Sequence, residues 1–285
     1  MPSSSIGTLI ASAAFLVLLR QGPARRQKAF LVTSDRTSLR NTVALPLVLC
    51  LMGWAILLWS IANMSSPWVA LTMPMDTGWS SAEILAVWLM WAVMMMAMML
   101  PSAIPMMAVH KRLAAQQDPG TPDAGLWFLF SYLLAWLLFS VAATALQWGF
   151  QRAGVLSHML RLQSALPSGV ILILAGAYQL SPLKAACLHH CRTAKNFLLS
   201  HWRSGRWGAA RMGLLHGWHC VLCCTGLMML LFVGGVMSLS TIVILTGLVA
   251  TEKLAPRGQE IAKLIGIALV AWGLWQILGA MQSGA

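Results

Sequence analysis

The residues best suited to chemistry lie in "HGWHCVLCC", His216 to Cys224, where five metal-ligating side chains fall within nine positions of an otherwise apolar run. On a helix turning about 100° per residue, His216, His219, Cys220, Cys223 and Cys224 share one sector of about 140°. One helix cannot surround an ion with four ligands, so a second donor element is required. "CLHHC" supplies it: Cys187 and Cys191 stand at i,i+4, with His190 beside them. Thiolate and imidazole donors select copper(I), zinc or an iron–sulfur cluster over magnesium or calcium. Nearby Lys and Arg favour the thiolate form. Two other readings stand beside metal binding. Buried thiols also serve as small apolar side chains, and paired thiols form disulfides where the compartment is oxidising. Cys50, alone in its helix, reads as a packing residue, and His189, His201, His110 and His158 read as loop or interface residues.

A second unusual stretch is "LMWAVMMMAMMLPSAIPMM", residues 89–107. Met90, Met94 and Met98 repeat at i+4, as do Met95 and Met99, and Met106 and Met107 follow. Thioethers are soft ligands suited to copper(I), so Met90, Met94, Met95, Met98 and Met99 form a candidate metal path. The spacing is similar to the Met-x-x-x-Met pairs of high-affinity copper-uptake transporters, although nothing else in the chain matches those proteins. Plain packing is the competing reading, because Met fills gaps between helices. Pro101 and Pro105 remove helix donors and are expected to kink or partly unwind the segment. "TMPMD" adds Met73, Met75 and Asp76 as a candidate outer collection point.

The elements that must position these groups follow from composition. The 285 residues are 59% hydrophobic and 9% charged, against roughly a quarter charged in a soluble domain. Apolar runs long enough for a bilayer occur at 43–62, 83–109, 125–147, 168–183, 210–236 and 261–280, with a shorter one at 241–250 extending through 237–240. The expectation is an all-α, polytopic membrane bundle of about seven helices, since lipid admits little else for this pattern. Residues 1–42 form an apolar and basic N-terminal segment. Its run at 6–19 either spans or lies in the interface. Residues 43–285 form one multi-pass domain, with the Cys/His cluster at 187–224.

Of the 19 Lys and Arg, 17 fall on one side of this arrangement and only Arg152 and Arg161 on the other. The positive-inside rule then puts the 184–211 segment on the cytoplasmic side of the cell's inner membrane. The net charge of +12 is accounted for by this pattern, and with no recognition module present nucleic-acid binding is excluded. Gly213 and Gly217 at i,i+4 should let a neighbouring backbone approach the cysteine helix. Glu83 lies at the outer mouth of the Met-rich helix and reads as an interfacial acid or an ion site. Glu252 and Lys253 read as an interfacial ion pair. No nucleotide-binding loop, phosphorylation motif or hydrolytic constellation is present, which argues against an enzyme and against ATP-driven pumping.

At "MMMAMMLPSAIPM", "AYQLSPLKAACLHHCR", "GLLHGWHCVLCCTGLMMLLFVGGVMSL" and "EKLAPRG" the chain resembles a bacterial family of predicted metal-binding integral membrane proteins, a domain-of-unknown-function family. The likeness extends over about residues 83–280. It implies a multi-spanning fold and a metal site at Cys187, His190, Cys191, Cys220, Cys223 and Cys224, with His216 a weaker member. The resulting expectation is a membrane protein that binds a soft metal, copper(I) before zinc, and transports it or delivers it to a protein partner. The alternatives are a redox or assembly factor using thiols, haem or an iron–sulfur cluster, and an accessory subunit with a structural zinc.

Overall fold

The computed structural model describes residues 43–74, 78–157 and 160–283. The N-terminal segment with its apolar run at 6–19, Met75, Asp76 and His158 lie outside the described residues. The chain runs through α1 (Val43–Ala62), α2 (Pro67–Ala70), α3 (Ser81–Gln117), α4 (Ala124–Arg152), α5 (Ala165–Gln179), α6 (Pro182–Arg192), α7 (Ala194–Ser200), α8 (Gly205–Gly234), α9 (Leu239–Leu254) and α10 (Gly258–Ser283). Among the described residues no strand forms beyond an isolated bridge between Leu156 and Leu162.

Five helices, α1, α3, α4, α8 and α10, are long and apolar enough to cross a membrane. The pair α5–α6 makes a sixth if taken as one path bent by 61°. Helix α9 has 16 residues, short of the roughly 20 a straight span uses. Each expected apolar run is therefore helical, but two of the seven are not straight, full-length rods.

The run at 168–183 does not continue into "CLHHC" as one helix. It ends at Gln179, and Ser181 restarts the chain as the N-cap of α6, its hydroxyl accepting from the Lys184 N–H at 3.2 Å, with Pro182 in the first turn. Proline suits that position because its missing N–H has no partner there anyway.

Helix α8 forms the centre of the bundle. Its apolar window is 67% buried, against 17% for α10 at the periphery. Leu51, Trp59, Leu264, Trp275 and Met281 are more than half exposed on outer faces. Helices α5 and α10 meet through glycines: a β-carbon at Gly176 would come within 2.7 Å of the Gly266 carbonyl, and one at Gly273 within 2.7 Å of the Gly169 carbonyl. Small residues of this kind allow van der Waals contact between backbones where no hydrophobic drive separates helix from lipid.

Of the expected kink or partial unwinding, the unwinding does not occur: α3 is continuous through Pro101 and Pro105. A proline at 101 leaves the Ala97 carbonyl without its helical donor. The Cys50 thiol of α1 supplies one, with Sγ 3.5 Å from that oxygen. The start of α3 is a reciprocal capping box. Glu83 accepts from the Ser80 N–H at 2.7 Å and the Glu83 N–H donates to the Ser80 hydroxyl at 3.3 Å. This gives the acid a structural role at a helix terminus.

Candidate metal centre

Helix α8 carries the cysteines into the middle of the protein because glycines let α4 pack tightly beside it. A β-carbon at Gly217 would lie 2.7 Å from the Ala135 β-carbon, and one at Gly213 would collide with the Phe128 carbonyl. The expected role of this pair is met, and α4 is the neighbour. On the other side, α6 presents Cys191.

Sulfurs from these two helices meet. Cys191 Sγ is 3.8 Å from Cys223 Sγ, and Cys223 Sγ is 3.5 Å from Cys224 Sγ. Cys220 joins this group through its backbone, its carbonyl accepting from the Cys223 thiol at 3.2 Å. Cys220, Cys223 and Cys224 are buried and Cys191 is half-buried, and all six cysteines are free thiols. A tetrahedral ion with metal–sulfur bonds of about 2.3 Å has sulfur–sulfur edges of about 3.8 Å, the spacing that Cys191 and Cys223 show.

Cys187 stands one turn earlier on α6, buried, and among the described residues it makes no sulfur contact with this group. The histidines separate into two settings. His190 and His219 pair, ring centroids 4.8 Å apart, and His219 Nδ1 lies 2.7 Å from the Leu215 carbonyl. That bond makes Nδ1 the N–H and leaves Nε2 as a lone-pair donor. His216 is buried instead among Tyr132, Phe197 and Phe128, at centroid distances of 5.6, 5.8 and 6.0 Å, with Nδ1 lacking a hydrogen-bond partner. His110, expected at an interface, is buried against Phe128 and Trp202 with neither ring nitrogen bonded.

The methionines of α3 line the interior. Met90, Met94, Met95, Met98 and Met99 are all buried, as is Met73. Met99 reaches the thiol group through Lys253, whose Nζ is 3.9 Å from its sulfur. The same ammonium donates to Cys220 Sγ at 2.8 Å and to Ser102 Oγ at 3.2 Å. Tyr132 Oη lies 3.2 Å from Cys220 Sγ.

Sequence reasoning placed Lys253 and Glu252 in an ion pair with each other, and the structure corrects this. Consecutive residues on a helix do not face one another. Glu252 instead binds Lys184 at 2.6 Å and Gln179 at 2.5 Å, inside the protein. Arg192 of α6 caps the end of α9 by donating to the Glu252 and Pro256 carbonyls. Two of the basic residues counted as loop charge, Lys184 and Lys253, are thus buried. The missed participants, Lys253, Tyr132 and Ser102, had one visible signal. The chain has only two tyrosines, and both touch the cysteine helix, Tyr178 through the Leu222 carbonyl.

Among the described residues, no three His, Cys, Asp or Glu side chains already converge on one ion-sized position. The sulfurs are adjacent, but the Cys220 sulfur is engaged by the Lys253 ammonium, so coordination requires small rotamer changes and movement of that lysine.

Fold and site together describe an all-helical chain with long apolar helices and a buried thiol group beside a methionine-lined interior. The chain belongs to the copper chaperone family PpoB2, whose family model matches residues 88–276, more than half of its length. That span contains every cysteine of the thiol group and thirteen of the nineteen methionines, including all of those in α3. No curated protein and no solved structure matches the chain.

Proposed function

We propose that this protein is a membrane-embedded copper(I) carrier that holds the ion at the sulfur group of α6 and α8 and passes it to a protein partner. The observation that carries the reading is the meeting of Cys191 with Cys223, donors 32 residues apart in sequence, in a buried place with Cys224 beside Cys223. Copper(I) favours thiolate and thioether over harder ligands, and the family is copper-related. The ion is the protein's cargo. Cys191, Cys220, Cys223 and Cys224 are the proposed ligands, with Cys187, His190 and His216 as further candidates on the same two helices and the buried methionines as the approach.

Membrane insertion is supported by the long apolar helices and by their exposed apolar outer faces. The distribution of basic residues supports a cytoplasmic position for the thiol group and delivery on that side. The test is copper content. Protein purified in detergent under reducing conditions and loaded with copper(I) should hold about one ion per chain, and replacing Cys220, Cys223 and Cys224 by Ser should remove it. Wild-type protein that retains no copper(I) after loading and desalting overturns the reading.

A further inference from the structure

The partners of Lys253 do not suit a lysine. An ammonium is a compact, strongly hydrated cation that pairs naturally with carboxylate oxygen. Here its Nζ faces Cys220 Sγ at 2.8 Å, Ser102 Oγ at 3.2 Å and Met99 Sδ at 3.9 Å. The carboxylate next to it in sequence, Glu252, is turned away and committed to Lys184 and Gln179. Two of the three groups around the ammonium are soft sulfur donors, a set that fits a soft monovalent ion better. This position also joins the two sulfur-bearing elements, since Met99 ends the α3 track and Cys220 belongs to the α8 thiol group.

Resting on the copper reading, we propose that the space between Cys220 and Met99 is a copper(I) transfer position, held in the metal-free protein by the Lys253 ammonium as a tethered stand-in that the ion displaces. A buried cation next to a buried thiolate offsets the cost of removing both from water. In the exchange the N–H···S bond is given up, a Cu–S bond forms and no electron is transferred; copper(I) takes over the charge pairing with the Cys220 sulfur, and the tethered ammonium keeps its proton and swings out to water or headgroups at the end of α9. The stem of Lys253 is flexible, and the residue lies in the last turn of α9, so the ammonium can swing aside without unfolding the helix. Lys253 is then an intramolecular competitor for the Cys220 sulfur. It lowers the retention of copper and speeds its release, which suits a carrier rather than a store.

The experiment is a copper(I) competition titration of wild type, Lys253→Leu and Lys253→Arg in detergent, against bicinchoninate under anaerobic reducing conditions; Leu removes the ammonium without adding a donor. Lys253→Leu should bind at least tenfold more tightly and release copper correspondingly more slowly, whereas Lys253→Arg should stay near wild type. Equal or weaker binding by a Lys253→Leu protein that elutes like wild type overturns the proposal and leaves the copper reading intact. Copper(I) on neither protein overturns both. Amine labelling of Lys253 in the wild-type protein, read by mass spectrometry, gives a second measure independent of any variant. Labelling should be low without metal and rise severalfold on copper loading, and equal labelling in the two states overturns the displacement.

Discussion

Cys50 and Glu252 show how single side chains keep this bundle intact around its thiols. Cys50 donates to the carbonyl that Pro101 leaves without a helical partner. Replacing it by Val should expose an unsatisfied carbonyl and cost about 1 kcal/mol, read as a lower thermal midpoint in detergent. Cys50→Ser should keep a donor and most of the stability. Glu252 is tied to Lys184 by a buried ion pair at 2.6 Å. Glu252→Gln strands the lysine charge and should destabilise the protein by about 3–5 kcal/mol, whereas replacing both partners by apolar residues of similar size should recover most of that loss. The same double-variant comparison separates the pair's role in folding from any role in copper binding. Its Lys184 end lies on the helix of Cys191, so single variants should also loosen copper retention.

At the scale of elements, the site depends on three helices arriving together. Helix α8 brings Cys220, Cys223 and Cys224, α6 brings Cys191, and α9 brings Lys253. Gly217 sets the separation of α4 from α8, and through it the contact of Tyr132 with Cys220. Gly217→Leu should force these helices apart at a cost of several kcal/mol, in the range of severe overpacking, seen as loss of monodisperse protein in size-exclusion chromatography. The pairing of α5 with α10 holds α6 indirectly, because α6 follows α5 after a 61° bend. A bulky residue at Gly176 should therefore reduce copper binding without touching any ligand, by moving α6 and Cys191 with it. Copper content of the folded fraction checks this.

For the whole molecule, the dominant feature is the inversion of an ordinary protein surface. Large apolar side chains such as Trp275, Leu264 and Leu51 stand outside, while Lys184, Glu252, Lys253 and His216 stand inside. Exposed apolar surface of that extent is stable only against lipid or another protein. The chain should accordingly fractionate with membranes and resist alkaline carbonate extraction. Release into the supernatant by carbonate alone would contradict the membrane reading.

Apolar runs, the lopsided Lys and Arg distribution and the Cys and Met spacings were enough to set the helical class and to nominate sulfur as the chemistry. Those features depend on local periodicity and on transfer from water to lipid, both of which are written along the chain. Which thiols meet could not be read this way. Cys187 and Cys191 look equivalent at i,i+4, but among the described residues only Cys191 has a sulfur partner on α8, because α6 is a separate helix started at Ser181 and Pro182 and its last turn is the part that meets the thiols. Glu252 and Lys253 look like partners and are not, because each is claimed by a residue about 30 to 150 positions away. Long-range partners are chosen by helix packing, and packing is decided by glycine contacts, caps and bends that act together, so the composition of the site belonged to the tertiary structure.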